Sequence, residues 1–230
     1  MDKIDYSNFA SNVLKIDFKN IDLLITALTH RSFLNEHRGT VKAHNERLEF
    51  LGDAVLELVV TEFLYKNYNK PEGTLTNWRS CLVKTESLIE SATILNVEPL
   101  LRLSKGERRG SQRARQQIIA NCFEAIIGAI YLDQGYDQTK LFIDKYIISK
   151  LDKIIEDGSW LDPKSQLQEI VQREEAITPS YKVIDEHGPD HDKSFRVGVF
   201  LKDKQIGSGT GASKHIAQQN AAKNALTNYL

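Results

Sequence analysis

The stretch His44–Leu56, HNERLEFLGDAVL, carries the pattern that decides both the fold and the candidate site of this chain. Three carboxylates, Glu46, Glu49 and Asp53, recur at spacings of three and four, which places them within an arc of about 60° on a helix. Apolar residues fall on the opposite side, as in a helix that packs one face against a core. These are Leu48, Leu51, Val55, Leu58 and Val59. The acidic face is either a solvated surface or one wall of a site for a divalent cation.

Length and composition exclude several classes of protein. The 230 residues are enough for one large or two modest domains, and a net charge of −1 gives no global signal for nucleic acid. Any such surface must be a local basic patch. Cys81 and Cys122 fall among apolar helical residues and are interpreted as buried thiols. Without a signal-peptide pattern or an apolar run of membrane-spanning length, we expect a cytoplasmic protein with no membrane partner.

The periodicity of the chain changes near its last third, which predicts two domains. Residues 1–155 predict an all-α domain, with apolar residues at helical spacing. The segments are Ile21–Leu28, Leu48–Tyr65, Leu82–Leu95, Ile118–Leu132 and Leu141–Ile155. Residues 161–230 predict a small α+β domain of order α-β-β-β-α, with both helices on one face of the sheet. Its elements are a helix from Pro163, strands at Ser180–Glu186, Ser194–Leu201 and Gln205–Ser208, and a helix from about Ser213.

A second acidic residue lies in the most apolar helix of the chain. Nearly every residue of Ile118–Leu132 is apolar, so this helix is predicted to be buried, and Glu124 lies in its centre. An unpaired buried carboxylate costs several kcal/mol or takes up a proton, so Glu124 requires a partner. Asn121 lies one turn earlier on the same side. Either a buried Lys or Arg pairs with Glu124, or the two acidic helices share a site for Mg²⁺, which prefers oxygen ligands.

These residues resemble the ribonuclease III family, which cleaves double-stranded RNA. The resemblance covers the whole chain in order, and its C-terminal unit resembles a double-stranded RNA-binding domain. It rests on Asn45–Asp53, Ala27–Ser32, Gly73–Thr76 with Arg79 and Ser80, and Phe123–Asp133. It implies a helical nuclease and dimerisation domain followed by the α+β domain.

The resemblance also implies an activity and its residues. It assigns Mg²⁺, for which Mn²⁺ can substitute, to Glu49, Asp53, Glu124 and the position of Asn121. Asp53 and Glu124 would be the catalytic residues, and Glu46 an accessory acid at the edge of the site. The implied enzyme is a homodimer that gives 5′-phosphate and 3′-hydroxyl ends with short 3′ overhangs, in rRNA, mRNA and possibly tRNA processing. No small-molecule cofactor is implied.

Asn121 departs from the family pattern, which has a metal-ligating Asp at this position. An amide oxygen can bind a hard cation, but the site loses one negative charge, which weakens Mg²⁺ binding. Three alternatives remain: an active enzyme that requires more metal, a double-stranded RNA-binding homodimer with weak or no cleavage, and a substitution introduced to trap a complex. A purely structural helical dimer is disfavoured by the acidic residues and by the second domain.

Candidate RNA contacts follow from the same resemblance. The first helix of the α+β domain would face one minor groove of the duplex, a loop histidine the other, and the start of the last helix the phosphates. These residues are Ser165, Gln168 and Glu169, then His191, then Lys214 and His215. Residues 161–230 hold nine Lys or Arg against nine Asp or Glu, so binding should be salt-sensitive. Arg108 and Arg109 in a basic loop are either phosphate contacts or part of a solvated surface.

Overall fold

The computed structural model describes residues 5–37, 39, 41, 43–158, 160, 162–189 and 193–229. Two compact units divide the chain, Met1–Asp157 and Gly158–Leu230. The first unit is helical and the second combines a sheet with two helices, which confirms the predicted fold class. His191, the predicted loop contact, lies outside the described residues.

The first unit consists of helices packed around the two that carry the acidic residues. Its helices are α1 (Tyr6–Asn8, continued by a π-helical stretch Phe9–Leu14), α2 (Ile21–Ala27), α3 (Arg31–Glu36), α4 (Glu46–Asn67), α5 (Glu72–Val83), α6 (Thr85–Ile94), α7 (Gln112–Gln134), α8 (Tyr136–Tyr146) and α9 (Leu151–Glu156). Short 3₁₀ turns cover Glu98–Leu100, Glu107–Arg109 and Ile148–Lys150. As predicted, α7 is buried over most of Ile118–Ile130.

Two glycines bring the backbones of α4 and α7 into direct contact. A Cβ atom added to Gly52 would lie 1.8 Å from the carbonyl oxygen of Glu124. One added to Gly128 would lie 2.2 Å from the carbonyl oxygen of Leu48. Neither position has room for a side chain, so glycine is what allows this close crossing. The crossing brings the acidic turns of the two helices together.

Two predicted helices are each broken by a local change of backbone direction. Lys84 adopts an extended conformation and separates α5 from α6, where one helix was predicted over Leu82–Leu95. The predicted helix Leu141–Ile155 is α8, a 3₁₀ turn and α9. The ammonium group of Lys150, at the end of the 3₁₀ turn, donates a hydrogen bond to the carbonyl oxygen of Ser87 on α6 at 2.6 Å. This bond connects the regions in which the two predicted helices are interrupted. Such long-range contacts are invisible to a periodicity argument.

Two predictions about burial need correction. Leu58, assigned to the packed face of α4, is 58% exposed. It lies at the edge of the apolar arc, about 80° at 100° per residue from the mean direction of the buried Leu48, Val55 and Val59, and so misses the core. Cys122 is fully buried, as predicted, whereas Cys81 is only partly buried. Both thiols are free, in line with the absence of a predicted disulfide framework.

The second unit is a three-stranded antiparallel sheet with two helices, α10 (Pro163–Glu175) and α11 (Lys214–Tyr229). Its strands, in the order β1-β2-β3, are β1 (Ser180–His187), β2 (Ser194–Leu201) and β3 (Lys204–Gly211). Both helices contribute to one core with β2, as predicted for helices on one sheet face. That core includes Leu167, Val171, Val197, Val199, Ala221 and Ala225.

The alternating glycines of β3 have a structural reason. The strand predicted at Gln205–Ser208 extends over Lys204–Gly211, so these glycines lie within β3, where they face α11. A Cβ atom on Gly209 would lie 2.2 Å from the backbone nitrogen of Ala221, and one on Gly207 would lie 2.7 Å from that of Ala225. The glycines therefore permit the close packing of α11 on the sheet.

Candidate active site

The crossing of α4 and α7 brings four of the predicted site residues to one location. On α4, Glu49 lies one turn before Gly52 and Asp53 directly follows it, and Glu124 is the residue whose carbonyl oxygen lies against Gly52. Asn121 lies one turn earlier on α7, and its side chain is near enough to the Glu49 carboxylate to favour the ionised form. The charges of Asp53 and Glu49 raise the pKa of Glu124, and the charge of Asp53 raises that of Glu49.

Glu124 is held in an environment that opposes its ionisation. Burial, with the nearby charges of Asp53 and Glu49, raises the pKa of its carboxyl group to about 7. In the described part of the chain no lysine or arginine forms an ion pair with Glu124. The alternative in which a buried Lys or Arg pairs with Glu124 is therefore not supported. A positive charge placed near Glu124 would still favour its ionised form.

Glu49 is subject to the same repulsion but has one compensating contact. Burial and the charges of Glu46 and Asp53 raise the pKa of its carboxyl group, and the nearby side chain of Asn121 acts in the opposite direction. The carbonyl oxygen of Asn121 points to a different neighbour, because it accepts a hydrogen bond of 2.7 Å from the side-chain amide of Gln117.

Glu46 lies at the edge of the cluster, exposed at the start of α4. Its carboxylate pairs with Arg31 at 3.3 Å and approaches the imidazole of His44 at 3.8 Å. The contact with Arg31 connects the beginning of α4 to the first residue of α3. The accessory role of Glu46 stays a prediction.

The donor set matches the chemistry of a hard divalent cation. Glu49, Asp53 and Glu124 offer only oxygen atoms, the ligands that Mg²⁺ prefers, and their mutual repulsion would be relieved by positive charge. Among the residues that the structure describes, however, no three His, Cys, Asp or Glu side chains are grouped closely enough to hold a metal ion as they stand. The oxygen-only side chains fit the chemistry of Mg²⁺, but they would have to move closer together to bind the ion.

Two features of the surface of this unit escaped the sequence argument. Phe50 and Tyr65 on α4 are 80% and 81% exposed and, with Leu58, form an apolar stripe beside the acidic one. A cleft of about 790 Å³ opens next to Tyr65, between the end of α4 and the start of α5. The sequence signal for this stripe was the spacing of Phe50, Leu58 and Tyr65 along one flank of α4. It was missed because Leu58 was assigned to the core.

The predicted RNA contacts of the second unit lie on its surface. Ser165, Gln168 and Glu169 are all exposed along one face of α10, although the Ser165 hydroxyl donates to the helix-capping carboxylate of Asp162 at 2.8 Å. Lys214 is exposed and pairs with Glu186 at 3.2 Å. His215 is also exposed, next to it in the first turn of α11.

The basic loop of the first unit contains a short 3₁₀ turn at Glu107–Arg109. Arg108 and Arg109 are exposed there, and one guanidinium nitrogen of Arg108 donates to the carbonyl oxygen of Leu101 at 3.3 Å. Arg115 pairs with Glu98 at 3.3 Å. The loop is thus fixed at its two sides and presents arginine side chains to solvent.

Comparison with known proteins identifies the family. The profile of the family described as Ribonuclease-III-like matches residues 20–151, and that of the double-stranded RNA binding motif matches residues 163–229. Ribonuclease 3 of Desulforamulus reducens is 44% identical over 223 residues, which is 96% of this chain and 91% of that protein. Ribonuclease 3 of Streptococcus pneumoniae strain P1031 is 45% identical over 94% of this chain and 93% of its own length. The chain belongs to the ribonuclease III family.

Solved structures of the ribonuclease III family agree with the fold of the first unit. The nuclease domain of ribonuclease III from Campylobacter jejuni is 38% identical, with a TM-score of 0.55, and the match covers 61% of this chain and 95% of that one. A second structure of the same domain is 36% identical, with a TM-score of 0.55, over 65% and 97% of the two chains. As a ribonuclease III, this protein is an endoribonuclease, and its second unit is a double-stranded RNA-binding domain.

One further property bears on the predicted partners. Within the described ranges, no helix combines the length and the apolar character needed to cross a lipid bilayer.

Proposed function

We propose that this protein is a Mg²⁺-dependent endoribonuclease that hydrolyses both strands of duplex RNA to 5′-phosphate and 3′-hydroxyl ends with short 3′ overhangs. The observation that carries this proposal is the convergence of Glu49, Asp53 and Glu124 at the α4–α7 crossing, where Glu124 has a pKa of about 7. Family membership supports cleavage of double-stranded RNA. By resemblance to the family, the proposed roles are in rRNA, mRNA and possibly tRNA processing in the cytoplasm.

In this proposal the acidic residues hold the cation and direct the reaction. Asp53 is exposed and Glu124 is half-buried, so together they present oxygen atoms to both solvent and substrate. Glu49 completes the ligand set from within the crossing. When bound, Mg²⁺ or Mn²⁺ supplies positive charge that stabilises the phosphodiester transition state and lowers the pKa of a water molecule. The carboxylates therefore must be deprotonated before the site can function.

RNA binding is proposed to use surface charge from both units. The exposed face of α10 and the first turn of α11 would contact the duplex across its minor groove and phosphates, as such domains do. Arg108 and Arg109 would add phosphate contacts from the nuclease unit. Each phosphate contact contributes to a linear fall of log K with log salt, so binding should weaken steeply as salt increases.

We propose a homodimer, formed through the apolar stripe of α4. Leu58 lies at its centre, with Phe50 about 12 Å away along the helix and Tyr65 about 10 Å away in the other direction. A two-fold axis near Leu58 would therefore place Phe50 of each copy close to Tyr65 of the other, next to the 790 Å³ cleft. The solved nuclease domain from Campylobacter jejuni is likewise described as having a region involved in dimer formation.

Replacing Phe50 by Ala is expected to weaken the dimer by at least about 30-fold, because a buried aromatic anchor contributes about 2 kcal/mol or more. Sedimentation equilibrium measures the dissociation constant. The control is Ile94→Ala, which removes a 65% exposed apolar side chain on α6 and should leave the dimer intact. If the Phe50→Ala protein dimerises as tightly as the parent, the stripe is not the interface.

Cleavage of a perfect RNA duplex tests the proposed activity. The purified protein is incubated with labelled duplex over a titration of Mg²⁺ and of Mn²⁺, with single-stranded RNA as the control substrate. We expect cut duplex with 5′-phosphates, detected by sensitivity to a 5′-phosphate-dependent exonuclease, and intact single strands. If the protein binds duplex but cuts it in neither metal, while Asn121→Asp cuts readily, the chain is instead an RNA-binding dimer.

A further inference from the structure

We propose that Glu186 on β1 is a positioning residue for RNA binding, because its carboxylate holds the ammonium group of Lys214 in place at the start of α11. The inference rests on the proposed phosphate contact of Lys214. It has an unusual consequence, since a negatively charged side chain would then strengthen binding to a polyanion.

The carboxylate of Glu186 connects two lysines that lie at the same end of the sheet. Its Oε1 atom lies 3.2 Å from the Nζ atom of Lys214, and its Oε2 atom lies 3.6 Å from that of Lys193. Lys193 directly precedes β2, and Lys214 is the first residue of α11. Each oxygen atom of the carboxylate thus has its own lysine, and the two ammonium groups are held close together in spite of their like charge.

The strand pairing explains why Lys214 meets this carboxylate. Glu186 on β1 is the cross-strand partner of Phe195 on β2, so both side chains project from the same face of the sheet. Phe195 packs against the core that the sheet shares with α11. Its ring centroid lies 5.5 Å from the Nζ atom of Lys214, within the range of a cation–π interaction. Lys214 is therefore located by two residues of the sheet, one aromatic and one acidic.

The ion pair with Glu186 leaves Lys214 able to bind a phosphate. The Lys214 side chain is 58% exposed, and an ammonium group has three N–H donors, so Glu186 does not use them all. Two lysines and one carboxylate carry a net charge of +1, which a phosphate would neutralise. Because Glu186 already restricts the long Lys214 side chain, less conformational entropy is lost when a phosphate binds.

The affinity of the full chain for duplex RNA tests the sign of this effect. A fluorescent duplex is titrated in EDTA, which prevents metal-dependent cleavage, and its anisotropy gives the dissociation constant. We expect Glu186→Gln to weaken binding about 3-fold, although it removes a negative charge. If Glu186→Gln binds as tightly as the parent or more tightly, the carboxylate does not position Lys214 for phosphate and the proposal is wrong.

Asp203→Asn is the matched control, because it also removes one negative charge from the same unit. Asp203 is exposed in the turn between β2 and β3, about 25 Å along the strand from Phe195. That distance exceeds the screening length at physiological salt, so Asp203→Asn should leave binding unchanged. An equal loss in Asp203→Asn and Glu186→Gln would contradict a role for this particular carboxylate.

A double variant shows whether Glu186 acts through Lys214. Lys214→Ala alone should weaken binding and reduce the slope of log K against log salt by about one. Adding Glu186→Gln to Lys214→Ala should cause no further loss, because the side chain that it positions is gone. A further loss as large as the loss in the parent would mean that Glu186 acts elsewhere, and it would overturn the proposal. Thermal melts confirm that each variant is folded.

A measurement without RNA separates this inference from the proposed function. In an NMR titration, the Glu186 carboxyl signal is the one absent from Glu186→Gln. The hydrogen bond and the charge of Lys214 should hold its pKa below the ordinary value in the parent, and Lys214→Ala should raise that pKa. If Lys214→Ala binds duplex as the parent does, the proposed phosphate contact fails, and this inference with it. If Lys214→Ala weakens binding but leaves the pKa of Glu186 unchanged, the phosphate contact stands and the inference alone fails.

Discussion

Glu124→Gln is expected to reduce cleavage of duplex RNA by about 10³-fold or more and, at the same time, to stabilise the metal-free protein above pH 7. The loss of activity follows from removal of a charged side chain from the proposed metal site, since metal stabilisation of the transition state contributes several kcal/mol. The gain in stability follows from removal of a charge that burial and two neighbouring carboxylates oppose. A residue retained for function at a cost in stability is expected to show both effects.

The pH dependence of this stabilisation has a definite sign. The pKa of Glu124 in the folded protein is about 7, above its ordinary value of 4.5, so the folded state binds this proton more tightly than the unfolded state does. The stability that protonation contributes is complete below about pH 4.5 and is lost as the pH rises through 7. The difference in melting temperature between Glu124→Gln and the parent should therefore be largest near pH 8 and shrink toward pH 5.

Melting curves with and without Mg²⁺ provide the measurement. Mg²⁺ should raise the melting temperature of the parent at pH 8 and have little effect on Glu124→Gln, because binding to the folded state alone stabilises it. Glu156→Gln, an exposed substitution at the end of α9, serves as the control and should behave as the parent does in every assay. A Glu124→Gln protein that is less stable than the parent at pH 8 would show that Glu124 has a stabilising partner in the fold.

The acidic half of the candidate site was predictable because its signals are local. Glu49 and Asp53 share one face of a helix by spacing alone, and Glu124 is conspicuous as a charge within an apolar run. The hydrogen bond from Gln117 to Asn121 was not predictable, since a polar residue at an exposed position looks like any solvated side chain.

The fold was predictable where periodicity is strong and less so where distant contacts decide. The two-domain organisation and the strands were visible as a change of period from helical to alternating. The break at Lys84 and the exposure of Leu58 depend on how the neighbouring helices pack. The spacing of apolar residues along one helix carries no information about that packing. The glycines of β3 show the same limit, because their reason is the close packing of α11, a contact between elements that the glycine spacing alone does not reveal.

The second large effect is expected at Gly52, where no ligand or substrate is involved. Gly52→Ala places a methyl group 1.8 Å from the carbonyl oxygen of Glu124, a backbone atom that cannot turn aside as a side chain can. The two helices must separate, so we expect a loss of more than about 3 kcal/mol in the free energy of unfolding. For a protein of this size that corresponds to a fall of about 10 °C in melting temperature.

The same substitution should disable the site in whatever protein remains folded. Moving α4 away from α7 separates Glu49 and Asp53 from Glu124, and a displacement of about 1 Å in a catalytic site can reduce the rate about 10²-fold. Gly73→Ala is the matched control, because a methyl group at Gly73 on α5 meets no atom within 4 Å. There the exchange should be neutral or stabilising by up to about 1 kcal/mol, as for glycine in a helix.

Chemical denaturation and single-turnover cleavage of the two variants measure both effects. Equal stability and activity in Gly52→Ala and Gly73→Ala would mean that α4 and α7 do not meet at this glycine. Together the two substitutions separate the intrinsic cost of glycine in a helix from its specific role here, which is to let α4 and α7 cross closely enough for their carboxylates to lie together.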